Sequence, residues 1–188
     1  MENVLITDKF KLKKNVVEQQ FDVLYSFTRS LAYYRAIHQD LSRLEKKYDF
    51  FCHTMNAHIL KAITDWCMVF GSDSNEVQWK KSSLSHEEEF QIEIRNLIYE
   101  STGFSHQEWS AYREEMVNFR NVYVAHRNPE FKKPVPHMEK AFDISVAFFD
   151  WLKEQLWPSF NEPESLNILY PKFQIEALEV YGQFLKKI

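Results

Sequence analysis

Near the end of a strongly helical stretch the chain reads Arg120-Asn121-Val122-Tyr123-Val124-Ala125-His126. These residue types can act on a phosphodiester without a metal. Histidine moves protons near neutral pH, and arginine stabilises the charge that builds on a phosphate. A guanidinium stays charged and meets phosphate oxygens in a forked geometry. Asn121 adds a polar group directly after the arginine. Nothing else in the sequence offers a comparable set.

The spacing alone carries little weight. With seven arginines and seven histidines, an Arg followed by His five to seven places later arises about once by chance. Context adds to it: the pair falls at the C-terminal end of a helix, Asn121 follows the arginine, and a proline turn comes next. The helix dipole there favours a protonated imidazole, which would raise the His126 pKa from ~6.5 toward neutrality and suit it to acid–base work. In an α-helix, six residues rotate by ~240°, so Arg120 and His126 do not share a face. Two such helices meeting across a two-fold axis could pool both pairs in one cleft, so an active motif predicts a homodimer. The competing reading is structural. His126 continues the apolar stripe from Trp109 to Tyr123 and could be a buried, carbonyl-bonded histidine, with Arg120 paired to a carboxylate of a neighbouring helix.

The elements that must position these residues are helical. The 188 residues are 45% hydrophobic and 16% aromatic, enough for one packed domain over 1–188. Phe27, Leu31, Tyr34, Ile37, Leu41, Leu44 and Tyr48 recur at helical spacing and mark a long helix over about 15–47. Asp49 can cap a second helix, with Phe51, Met55, Ile59, Ala62, Trp66 and Phe70 on one face and Gly71 at its end. Residues 72–83 read as a polar loop anchored by Trp79. Ser85-His86-Glu87-Glu88 and Ser105-His106-Gln107-Glu108 read as capping boxes that open a third and a fourth helix. The fourth carries Trp109, Tyr112, Met116, Phe119, Tyr123 and His126, and is halted by Asn128-Pro129 and the prolines beyond. A fifth runs from about Pro136 with Phe142, Phe149, Leu152 and Leu156 inward. A loop follows over Pro158–Pro163, then a last helix at about 164–187. The opening NVLITDKFKL alternates weakly and reads as extended. The expected fold is an all-α bundle of five to six helices, with its core over about 15–157.

Several function classes are excluded or disfavoured. The three glycines form no GxGxxG or phosphate-binding glycine loop. A net charge of −4 argues against a general nucleic-acid coat, so any RNA contact must be a local patch. Arg127, Lys132 and Lys133 beside the motif are a candidate patch that would steer a polyanion toward it, with a merely solvated loop as an equal alternative. Lys80 and Lys81, next to Trp79, are a second candidate patch, with a solvated loop as the simpler reading. Tyr123 is a candidate phosphate contact or, more simply, a core aromatic. No signal peptide or membrane-length apolar run is expected, which points to a cytoplasmic protein. Cys52 and Cys67 fall in one helix, roughly 22 Å apart, too far to pair. No paired Glu-x-x-His motif or metal-type cysteine spacing occurs, so neither a metal nor another cofactor is expected.

The arrangement Arg-Asn-(four residues)-His at the end of a late helix resembles the HEPN superfamily. The segments Trp66-Cys67-Met68-Val69-Phe70-Gly71, Asn75 to Lys81, and Tyr112 to Arg120 running into Ala125-His126 resemble its AbiU-type abortive infection branch. The resemblance covers about 20–130. It implies a HEPN-like bundle and a metal-independent, dimeric endoribonuclease in which Arg120 and His126 match the active pair and Asn121 the polar position after the arginine. It further implies cleavage by 2′-hydroxyl attack, a setting of phage defence or toxin–antitoxin pairing, and a separately encoded antitoxin or regulator. A polar residue on an earlier helix often assists in that family; Asp65, Ser72 and Asp73 are the candidates here. The alternative is a non-catalytic HEPN-like module that binds RNA, a nucleotide or a protein, or a structural helical subunit of a larger complex.

Overall fold

The computed structural model describes residues 4–40, 49–126, 128, 130–156 and 164–185. They form an all-α bundle with a small β-hairpin at its N-terminal edge. Strands β1 (Val4–Ile6) and β2 (Lys11–Lys13) pair antiparallel, with Leu5 opposite Leu12. The helices are α1 (Lys14–Asp40), α2 (Asp49–Trp66), α3 (Glu87–Thr102), α4 (His106–Phe119), α5 (Met138–Leu156) and α6 (Leu166–Leu185). Helix α1 packs most extensively on α2 and α6, and α3 on α5. The segments 41–48 and 158–163, read above as the end of the first helix and a loop, lie outside the described residues.

The hairpin belongs to the core. Phe10 and Leu12 are buried, and the Phe10 ring meets Phe90 of α3 edge-on at 5.4 Å. Residues 72–83 form the expected anchored loop, in which Trp79–Lys81 make one 3₁₀ turn and the Trp79 ring is 2% exposed. A buried polar network fixes this loop to α1. Gln20 Nε2 donates to Ser82 Oγ at 2.8 Å and to the Val77 carbonyl at 3.0 Å, while Ser82 Oγ donates back to Gln20 Oε1. Burying an amide is tolerable only when its donors and acceptor are matched in this way.

The two capping boxes differ in outcome. At α4 the box is complete: Ser105 Oγ accepts from the Glu108 N–H, and the Glu108 carboxylate accepts from the Ser105 N–H at 2.8 Å. At α3 there is no box. The Ser85 hydroxyl instead accepts from the Lys11 N–H of β2, so it is committed to the hairpin. The residue before α3 is His86, in the left-handed region at φ 53°, with no side-chain cap. Competition from a tertiary partner explains the difference. The far end of α3 closes on Gly103 at φ 73°, where glycine meets no Cβ penalty, and Lys140 Nζ donates to the Thr102 carbonyl.

Part of the core lies where the end of α2 and the turn after it pack against α4 and α5. Trp66 is fully buried, with ring centroids of Phe70, Trp109 and Tyr112 at 5.3, 6.0 and 5.8 Å. Among the described residues, no helix is long and apolar enough to cross a membrane.

Candidate functional site

Trp109, Tyr112, Met116 and Phe119 of α4 are all buried, at the three-and-four spacing of an α-helix facing the core. After Phe119 the winding changes. Arg120–Ala125 form a π-helical segment, in which hydrogen bonds span five residues instead of four. A second π turn, Cys67–Gly71, ends α2. The two adjoin. A Cβ on Gly71 would lie 3.0 Å from Cys67 Cβ and 3.1 Å from Val117 Cγ2, so glycine is what lets α4 approach this closely. π turns recur at functional sites because they re-aim side chains that an α-helix would place elsewhere.

The motif residues divide three ways. Arg120 is half-buried; its Nε is buried with no hydrogen-bond partner, and its guanidinium lies against the Cys67 thiol. The expected alternative partner, a carboxylate of a neighbouring helix, is not found within 4 Å among the described residues. Asn121 is exposed and opens onto a polar cleft of about 450 Å³. His126 ends the π segment at φ −110° and is exposed, which corrects the reading of it as a buried histidine continuing the apolar stripe. The stripe fails there because π winding changes the register of every residue after Phe119.

The Asn121 cleft is organised by two residues. Arg113 donates from Nε to the Phe70 carbonyl at 3.1 Å and from Nη2 to Asp73 Oδ1 at 3.0 Å. Asp73 also accepts from Lys80 Nζ at 3.0 Å and Gln78 Nε2 at 3.2 Å. Ser72, Glu114 and Asn118 complete the rim. Of the three earlier-helix candidates, Ser72 and Asp73 therefore share the cleft with Asn121. Asp65 does not line it: its buried carboxylate is held by Lys61 Nζ at 2.7 Å. Arg113 escaped the sequence reading as a site residue, although 113, 117 and 121 lie at i, i+4 and i+8 on one helical face.

Tyr123 is half-buried in an aromatic cluster, 5.0 Å from Phe119 and 6.1 Å from Phe131 between ring centroids. Lys80 binds Asp73, and Lys81 binds Glu76 at 3.1 Å. Trp79 offers no stacking face to a base because it is buried, which corrects that part of the Lys80–Lys81 reading. Lys132 and Lys133 are exposed on the segment after the motif, and Tyr112 ties that segment back by donating to the His137 carbonyl at 2.6 Å. Arg127 lies outside the described residues.

Burial pushes the Cys67 thiol up to about 12, against the lowering influence of Arg120 and Arg113. A thiol that neither ionises nor meets solvent is unreactive. The expected result of thiol titration is one fast-reacting group, the exposed Cys52, in the folded protein and two in denaturant. Two fast groups in the folded protein would show that the Cys67–Arg120 contact is open to solvent.

No family model matches the chain, and no curated protein or solved structure matches it either.

Proposed function

We propose that this chain is a metal-independent endoribonuclease of the HEPN type, working as a homodimer. In this reading His126 moves the proton between the ribose 2′-hydroxyl and the leaving 5′-oxygen. Arg120 stabilises the charge on the pentacovalent phosphorus. Asn121 orients one of these groups or the phosphate. The bond formed is 2′-O–P, the bond broken is P–5′-O, and the product carries a 2′,3′-cyclic phosphate.

The observation that carries this reading is the π segment itself. It starts at Arg120, sets Asn121 on a polar cleft and ends at a solvent-accessible His126. An imidazole must be reachable by substrate to act as acid or base, and this one is. A pooled site across a two-fold axis would supply what one protomer lacks, since Arg120 is half-buried beside Cys67 while His126 is exposed. The resemblance adds the setting: phage defence or a toxin–antitoxin pair in the cytoplasm, with a separately encoded antitoxin or regulator.

One observation favours the second reading, a non-catalytic binding module. The Arg120 Nε is buried beside Cys67. For catalysis, the outer guanidinium nitrogens must reach the phosphate, or the side chain must swing outward on binding. The test is to incubate the protein with mixed RNA in excess EDTA while measuring its oligomeric state by sedimentation. A dimer that leaves cyclic-phosphate ends supports the ribonuclease. A folded dimer that binds RNA without cutting it supports the module.

A further inference from the structure

Arg113, which lines the Asn121 cleft, also lines a second hollow of about 270 Å³. Lys80, Arg95 and Arg113 line it together with His106 and Ser110, and the buried ring of Trp109 forms an apolar wall. The three permanent cations come from separate elements: Lys80 from the 3₁₀ turn, Arg95 from α3 and Arg113 from α4.

The charges do not balance. Asp73 accepts from both Lys80 and Arg113. Arg95 donates Nη2 to the neutral Gln91 Oε1 at 3.0 Å, and among the described residues no carboxylate lies within 4 Å of it. Three cations against one carboxylate leave two positive charges in a half-enclosed place, in a chain of net charge −4. Like charges gathered in a concavity repel one another and attract an anion. The hollow falls just below the ~300 Å³ at which sites for whole small molecules begin, so it suits a group rather than a complete ligand.

We propose that this hollow binds a phosphoryl group, and that through Arg113 it continues the Asn121 cleft, holding a backbone phosphate of the RNA strand away from the scissile bond. The anion site stands on the charges and the cavity; its assignment to RNA rests on the ribonuclease reading. Arginine and lysine hold phosphate through charge-assisted hydrogen bonds, and the Ser110 hydroxyl adds a neutral donor.

The test uses the full-length chain carrying His126→Ala, to block cleavage, with and without Arg95→Gln. Binding of a fluorescein-labelled single-stranded RNA is measured over a range of salt concentrations, and thermal melting is followed with inorganic phosphate. Arg95→Gln is expected to weaken RNA binding about tenfold and to reduce the log–log salt slope by about 0.7, the loss of one phosphate contact on a single strand. RNA binding by the parent with unchanged affinity and slope in Arg95→Gln would overturn the phosphate site and leave the ribonuclease reading intact. If the parent ignores RNA while inorganic phosphate raises its melting temperature, and Arg95→Gln abolishes that shift, the anion site stands and its assignment to RNA falls. Response to neither probe overturns both. Lys80→Gln, which removes another of the three cations, repeats the comparison should Arg95→Gln fold poorly.

Discussion

Replacing His126 with alanine is expected to lower RNA cleavage by about 10³-fold while leaving the protein folded. The size follows from the role: a group that both takes and gives the proton accounts for roughly 10²–10⁴ in rate. That the fold survives follows from position. His126 is exposed at the end of the π segment, so its truncation opens no core cavity, and exposed substitutions of this kind change stability by only about 0.5 kcal/mol. Arg120→Ala is expected to cost about 10²–10³ in rate, the scale of removing one donor to a developing oxyanion. Initial rates on a labelled RNA, with melting curves of both variants, check this. If His126→Ala retains more than about a tenth of the wild-type rate, His126 is not the proton-transfer group, since that loss lies below the range such groups supply.

Trp66→Ala is expected to be the most damaging core substitution near the site, at about 3–5 kcal/mol. The side chain is fully buried, and three aromatic rings from the Cys67–Gly71 turn and α4 close on it. Its removal leaves a large cavity at that junction. The gap lies directly before the Cys67–Gly71 turn, so the support of Arg120 loosens with it. Trp66→Phe provides the control. The Trp66 Nε1 is buried without a hydrogen-bond partner among the described residues, and phenylalanine discards that unpaired donor while keeping most of the ring contact. Urea unfolding is expected to show a much smaller loss for Trp66→Phe than for Trp66→Ala. A cost below about 1 kcal/mol for Trp66→Ala would mean that the junction repacks around the gap and does not depend on the indole.

Local rules made much of this molecule legible. Three-and-four spacing located the helices, because a buried face is a periodic requirement that leaves its imprint on the sequence. Trp79 announced the anchored loop, since a lone tryptophan in a polar run needs burial. Other features depend on long-range contacts and have no local signature. Ser85 sits three residues before Glu88, a valid capping pattern, yet the hairpin N–H of Lys11 claims its hydroxyl. The close approach of the Cys67–Gly71 turn to α4 at Gly71 is a tertiary contact that no periodicity within either helix encodes. The change of winding is why His126 leaves the apolar stripe, and the pairing of Arg113 with Asp73, forty residues apart, is a tertiary contact beside Asn121. The motif pointed to the chemistry; the cleft that faces it is a product of packing.

The central claim is that a ribose 2′-hydroxyl attacks the adjacent phosphorus without a metal, and one measurement addresses it most directly. Two oligonucleotides of the same sequence, one all-RNA and one with a single 2′-deoxy nucleotide at the mapped cleavage position, are incubated with wild-type protein in excess EDTA, and the product ends are identified by mass. The account predicts that the RNA is cut to a 2′,3′-cyclic phosphate and that the substituted strand stays whole at that position. Equal cutting of both strands, or intact RNA in the presence of folded dimeric protein, would contradict it.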